Sequence, residues 1–124
     1  MNDEPPINWS DVMGTARVVH RGPLVVIGGL ASLDDNGVVI HLGDAYAQTR
    51  RILERVGATL ASIDVAVAAI VCTRVIIAAH AKWEDVARAH GEFFHDIRPV
   101  TTMAYGGLLN PAFLVEIDVT AWSE

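Results

Sequence analysis

The sequence predicts an α+β domain with the element order βββαβαββ, one mixed sheet carrying two helices on one face. Short apolar runs separated by glycine-containing turns fill the first forty residues and indicate strands. Two later segments place apolar residues at intervals of three and four, which is typical of amphipathic helices. The strand-helix-strand-helix-strand core within this order favours a two-layer sandwich.

Three strands are expected before the first helix. Asp34-Asp35-Asn36-Gly37 is a strong turn signal because Asn and Gly tolerate a positive φ, and Arg21-Gly22-Pro23 fits a hairpin turn. The predicted strands are Ala16–His20, Leu24–Ile27 and Val38–His41. Residues 1–12 are predicted to form a loosely ordered arm, for which Trp9 is a candidate anchor.

Two amphipathic helices alternate with the remaining strands. The first is predicted from Asp44 to Ser62, with Gly43-Asp44 as its cap region and a stripe that includes Tyr46, Thr49, Val56 and Leu60. The second is predicted from His80 to Phe94, with Trp83, Val86, Ala87, His90 and Phe94 on one stripe. The other strands are predicted at Ile70–Ile77, Thr101–Gly106 and Phe113–Trp122.

Length and charge narrow the function classes. The 124 residues suit a single domain, and nine basic against fifteen acidic residues give a net charge of −6, which disfavours a nucleic-acid partner. No apolar stretch is long enough to span a membrane, and with Cys72 as the sole cysteine the chain is expected to be cytoplasmic. Counting glycine and omitting tyrosine, the apolar fraction is about 58%, against a usual ~45–50%, which predicts a homo-oligomer.

Strand alternation assigns each side chain of the last strand to a face. Val115, Ile117, Val119 and Ala121 are expected under the helices, so Glu116 and Asp118 point to the other face. In the central strand, Cys72, Arg74 and Ile76 are expected opposite Val71, Thr73, Val75 and Ile77. In the strand before the last, Thr101, Met103 and Tyr105 form one set and Thr102, Ala104 and Gly106 the other. A sheet face that mixes apolar side chains with Glu116 and Arg74 is expected to be covered by another subunit.

Neither a metal nor a cofactor is predicted. The five histidines include no pair spaced i,i+4 and no HExxH motif. Gly28-Gly29 belongs to no phosphate-binding loop, because neither GxGxxG nor GxxxxGK[ST] is present.

Four motifs in order resemble the Rid, or YjgF-like, family of reactive-intermediate deaminases. They are Gly22-Pro23-Leu24-Val25-Val26-Ile27-Gly28-Gly29, Ala47-Gln48-Thr49-Arg50, Phe93-Phe94 and Leu114-Val115-Glu116-Ile117-Asp118-Val119, and the resemblance covers about residues 12–122. The resemblance implies a chorismate-mutase-like fold, a homotrimer and clefts between subunits that bind a small metabolite.

The resemblance also implies site residues, several of which depart from the family pattern. Glu116 matches the family glutamate that positions or activates water, so it is the candidate catalytic residue. The family arginine that grips a carboxylate falls on Thr101, and three other cleft positions fall on Met103, Gly28 and Thr15. Tyr105 is a further candidate wall residue, and Arg98 and Arg74 are candidates to replace the missing guanidinium.

Two functions are therefore open. One is hydrolysis or tautomerisation of a small imine, enamine or related reactive metabolite, with Glu116 as acid/base or water-orienting group. The other is a non-catalytic trimer that binds a metabolite. Ribonuclease activity, sometimes ascribed to the family, is disfavoured by the acidic charge and by the lack of a basic phosphate-binding cluster.

Overall fold

The computed structural model describes residues 6–124 as a five-stranded mixed sheet with two long helices on one face. The helices are α1 (Trp9–Met13), α2 (Ala45–Ser62) and α3 (Trp83–Phe94). The strands are β1 (Val18–Arg21), β2 (Leu24–Leu30), β3 (Ile70–Ile77), β4 (Val100–Tyr105) and β5 (Val115–Trp122), and a 3-10 turn at Val67–Ala69 precedes β3. The predicted fold class is confirmed.

The strand order is β1-β2-β5-β3-β4, with β3 and β4 parallel and the other neighbours antiparallel. Since β5 lies at the centre, its two faces decide what the sheet presents on each side. Val115, Ile117, Val119 and Ala121 are buried under the helices, as predicted.

The helices begin and pack for identifiable reasons. The Asp44 side chain accepts a hydrogen bond from the Ala47 N–H at 2.9 Å, which is the predicted cap of α2. α2 buries one stripe that includes Ile52, Leu53, Val56 and Leu60. In α3 the buried stripe is Val86, Ala89, His90 and Phe94. The prediction of Trp83 on that stripe was wrong: Trp83 is half-exposed at the first turn.

The predicted third strand at Val38–His41 does not form. The Asp34 turn closes as expected, with the Asp34 carboxylate accepting from the backbone of Asn36 and Val38, but the arms share only one isolated bridge. β2 already pairs with β1 and β5 along both edges, so no edge is left for this segment. Side chains hold it instead: Arg51 and Arg55 of α2 donate to backbone carbonyls of the loop.

Two smaller expectations also needed correction. The arm contains the short helix α1, which has no buried residue, while residues 1–5 lie outside the described part. Val71 is exposed rather than facing the core, because the pairing of β3 with β5 is irregular between Ile70 and Cys72. Within residues 6–124, no helix combines the length and apolar character that a membrane span requires.

Candidate functional site

The sheet face away from the helices carries two carboxylates on the central strand. Glu116 and Asp118 alternate with the buried residues of β5, so they project from the same face, roughly 7 Å apart along the strand. Both are half-buried, although no helix covers them. We call this side of the sheet the open face.

A guanidinium lies on the same face one strand away. The Cα of Arg74 on β3 is opposite that of Asp118, and Ile76 is opposite Glu116. On the other side of β3, Arg74 pairs with Thr102 of β4. Arg74 and Glu116 are therefore diagonal neighbours, a separation of roughly 7–8 Å across the ladder. The structure brings these two predicted site residues together.

Two glycines fix the position of Asp118. The pairing of β2 with β5 is irregular between Ile27 and Leu30, and the backbone N–H of Gly29 donates to Asp118 Oδ1 at 2.8 Å. A Cβ on Gly28 would lie 3.3 Å from the same oxygen. Gly28, a predicted substrate-contact position, thus lies against Asp118, and a larger residue there would press on the carboxylate.

The Glu116 carboxyl has a raised pKa. Burial is the main cause, because it disfavours the charged form, and the nearby Asp118 carboxylate adds repulsion. A carboxyl that gains and loses its proton closer to neutral pH is suited to acid/base chemistry.

A buried glutamine holds the backbone at the start of β5. It was not among the predicted site residues. The Gln48 side chain donates to the carbonyls of His41 and Ala112 and accepts from the Leu114 N–H at 2.9 Å. Leu114 is two residues before Glu116, so α2 positions the strand that carries the carboxylates. The signal was present in the motif Ala47-Gln48-Thr49-Arg50, where a glutamine occupies the apolar face of a helix.

Three of the predicted site residues lie on the opposite, helix-covered face. Thr101, Met103 and Tyr105 pair with Thr73, Val75 and Ile77, which all point into the core. Met103 packs against the core cluster, and the Tyr105 hydroxyl donates to the Ala81 carbonyl at 3.2 Å. Within one chain the structure therefore does not bring these residues together with Glu116.

Thr101 belongs to a chain of hydrogen-bonded polar side chains that no motif or spacing in the sequence indicates. Its hydroxyl is 2.8 Å from the Thr73 hydroxyl, which is 2.9 Å from His90 Nε2. Thr73 and His90 are both buried, and burial lowers the His90 pKa. This chain follows from the parallel register of β3 and β4 and from the crossing of α3.

The last two predicted positions lie at the periphery. Thr15 is exposed in the segment before β1, and two residues later the Arg17 carbonyl accepts from the Gly28 N–H. Thr15 lies outside the sheet, three residues before β1 begins. Arg98 is exposed between α3 and β4 and lines a cavity with Thr101 on the helix side.

The open face also exposes apolar side chains. Val19 and Val26 on one half of the sheet, Ile76 on the other and Trp122 at one end are each between one-third and about one-half accessible. The open face thus presents these apolar side chains together with the two carboxylates of β5.

Comparison with known proteins identifies a matching family model and similar curated proteins. The family model described as endoribonuclease L-PSP matches residues 12–123. The 3-aminoacrylate deaminase RutC of Acinetobacter baylyi is 30% identical over 98 residues, which cover 79% of this chain and 78% of RutC.

Solved structures agree with the same assignment. A member of the YjgF/YER057c/UK114 family from Mycobacterium tuberculosis is similar with a TM-score of 0.78 and 34% identity, covering 92% of this chain and 91% of its own. The YjgF gene product of E. coli has a TM-score of 0.78 at 22% identity, covering 89% and 88% of the two chains, and supports the fold alone. The order of motifs, the sheet and these relatives lead to one conclusion: the chain belongs to the YjgF-like Rid family, whose sequence model is described as endoribonuclease L-PSP.

Proposed function

We propose that this protein hydrolyses a small imine or enamine in a cleft between subunits on the open face, with Glu116 as acid/base. The observation that carries the proposal is the half-buried Glu116 carboxyl, with its raised pKa, diagonal to Arg74. The relative named 3-aminoacrylate deaminase supports this class of reaction.

The chemistry requires one group that both gives and takes a proton. Water adds to the carbon of the C=N bond, and the nitrogen receives a proton; the C–N bond of the resulting carbinolamine then breaks, releasing ammonia and leaving a carbonyl compound. An enamine is first protonated on carbon to give the imine. Glu116 supplies the proton when neutral and accepts one from water when ionised.

Arg74 is the proposed anchor on this face. A guanidinium binds a carboxylate with two parallel hydrogen bonds, and the diagonal spacing from Arg74 to Glu116 suits a ligand of a few carbon atoms. At the position where the resemblance expects an arginine, Thr101 points to the other face. We therefore propose that the chain represents a divergent branch of the family, in which a different residue binds the substrate carboxylate.

The first experiment measures ammonia release from freshly generated imines, one carboxylated and one neutral. We expect Glu116→Gln to lower turnover by about 10²- to 10⁴-fold, the usual contribution of a general acid/base. Arg74→Gln is expected to raise KM about tenfold or more for the carboxylated imine alone, because a charge-assisted bond is lost.

Glu84→Gln is the matched control, since Glu84 is an exposed carboxylate on α3, remote from the open face. Turnover that is unchanged in Glu116→Gln would remove the proposed role of Glu116. An active protein in which Arg74→Gln affects both imines equally would remove Arg74 as the anchor.

The alternative is a non-catalytic trimer that binds a metabolite. One observation favours it. The Thr101 hydroxyl is hydrogen-bonded to Thr73 on the helix-covered face. The strand position that the family resemblance assigns to substrate anchoring therefore provides no hydrogen-bonding group on the open face. Absence of ammonia release from every imine, together with saturable binding of a carboxylated ligand, is the outcome that would support it.

The proposed cleft lies between subunits, so it requires an oligomer. We propose that this oligomer is a homotrimer. The apolar side chains of the open face are expected to be covered by neighbouring subunits, because a core-like surface is stabilised by burial. We expect sedimentation to give three times the mass of the chain, and Val26→Asp on the open face to give monomers. Val38→Asp, at an exposed site away from the sheet, should remain trimeric. A native protein that sediments as a monomer would contradict the proposal.

A further inference from the structure

A groove in the helix layer lies between α2 and α3, on the side of the molecule away from the open face. It has a volume of about 250 Å³. Its floor is apolar, because Leu53 and Ala89 are buried and the half-buried Phe93 ring forms one wall. The other side chains that line it are charged and exposed, namely Arg50, Glu54 and Glu92. The groove therefore combines an apolar floor with charges of both signs.

These charges do not neutralise one another along each helix. Arg50 and Glu54 are spaced i,i+4 on α2. Arg88 and Glu92 have the same spacing on α3, at which opposite charges often pair. Neither combination is among the three ion pairs found in residues 6–124. The guanidinium carbons of Arg50 and Arg88 lie instead over the Tyr46 ring, 5.9 Å and 4.6 Å from its centroid. The aromatic ring thus competes with the carboxylates for both cations.

The two carboxylates of the groove keep unused acceptor capacity. Glu92 Oε2 accepts a hydrogen bond from the Tyr46 hydroxyl, which holds the Glu92 side chain against α2. Glu54 has Arg51 as its ion partner, but their nearest atoms are 3.6 Å apart, which is too long for a hydrogen bond. Because an ionised carboxylate accepts about four hydrogen bonds, both groups are able to accept from a further donor.

The groove matches a ligand that carries one carboxylate and one protonated amine. The Arg50 guanidinium is suited to a carboxylate, which it binds with two parallel hydrogen bonds. An ammonium group is suited to the carboxylates of Glu54 and Glu92, to which it donates. A ligand with only a negative charge would meet these two carboxylates, and one with only a positive charge would meet Arg50. An aliphatic side chain on the ligand would be stabilised by burial against Leu53.

We propose that the groove between α2 and α3 binds a small zwitterion, with its carboxylate on Arg50 and its protonated amine between Glu54 and Glu92. The sheet separates this groove from Glu116, so the proposal goes beyond the proposed hydrolysis and does not depend on it. The groove is slightly smaller than the usual range for ligand pockets, roughly 300–1,000 Å³, which restricts the ligand to a small molecule.

The experiment titrates the full chain with L-valine, with isovalerate, which lacks the amine, and with isobutylamine, which lacks the carboxylate. Two-dimensional NMR follows the backbone amides of Leu53 and Ala89 and those of β5. Arg50→Gln and Glu92→Gln each remove one charge at an exposed position, so the fold is expected to persist. Arg21→Gln is the matched control, because Arg21 is exposed at the end of β1 and does not line the groove.

We expect L-valine to give saturable shifts at Leu53 and Ala89. Isovalerate and isobutylamine should bind about tenfold more weakly or worse, because each lacks one charge-assisted contact. Arg50→Gln should weaken L-valine binding by about tenfold or more, and Glu92→Gln should weaken it less, since Glu54 remains.

Arg21→Gln and Glu116→Gln should bind L-valine like the native chain, which separates this site from the hydrolytic one. Four outcomes would overturn the proposal: no saturable binding of L-valine, equal affinity for isovalerate or isobutylamine, unchanged affinity in Arg50→Gln or Glu92→Gln, or shifts confined to β5.

Discussion

The two faces of the sheet satisfy their polar groups in different ways. On the helix-covered face, Thr73 and His90 are buried and hydrogen-bonded to each other, and within residues 6–124 no buried side-chain polar atom lacks a partner. On the open face, Glu116 is half-buried and its pKa is raised by burial and by Asp118. The first arrangement leaves the buried polar groups paired, whereas the second leaves a carboxyl whose charged form is disfavoured.

The difference teaches that strand alternation places core residues directly beside residues of the open face on this chain. Ile117 and Glu116 are adjacent in β5, yet one is fully buried in the core and the other lies on the open face. Substitutions at neighbouring positions are therefore expected to have effects of different kinds, and three predictions test this.

The largest expected effect comes from a pair of threonines on β4. Thr101→Arg breaks the bond to Thr73 and brings a cation to the covered face, so it should lower the free energy of unfolding by about 1–3 kcal/mol. Thr102→Ser, on the open face of the same strand, keeps that surface uncharged and should change it by less than about 0.5 kcal/mol. Urea denaturation of the two variants measures both values. An equal loss of unfolding free energy in the two variants would contradict the expected difference between the two faces of the sheet.

The second prediction concerns His90 on the covered face. Burial lowers its folded-state pKa below the ordinary value of 6.5, so the unfolded chain binds a proton first as the pH falls. The His90 contribution to stability should be complete above pH 6.5 and decline below it, until the folded-state pKa is reached. Thermal unfolding at a series of pH values should show this decline in the native chain and in His95→Gln, but less of it in His90→Gln.

The smallest effect is expected from Glu116 on the open face, and it has the opposite sign. Its folded-state pKa lies above 4.5, so stability should fall as the pH rises through the window between 4.5 and the folded-state value. Glu116→Gln should therefore be more stable than the native chain at neutral pH and lose this advantage at pH values below 4.5. Glu84→Gln should show no such crossover in the same denaturation series. A Glu116→Gln variant that is destabilised at neutral pH would mean that the carboxylate has a stabilising partner.

Helical periodicity predicted both long helices, and apolar runs bounded by turn residues predicted the five strands that form. The alternation in β5 correctly assigned Val115 and Ile117 to the core and Glu116 and Asp118 to the other face. These features are local, because a period of two or 3.6 residues specifies which side of an element is buried. The four sequence motifs predicted the family, and the comparison with the family model confirmed it.

Tertiary pairing decided the rest. The third strand failed because β1 and β5 already occupy both edges of β2, which no local signal reports. Thr101 and Glu116 fall on opposite faces because the parallel register pairs Thr101 with Thr73, and the sequence does not specify register between strands joined by a helix. The sequence thus determined which residues are apolar, capped or alternating, whereas the structure alone decided which of them meet.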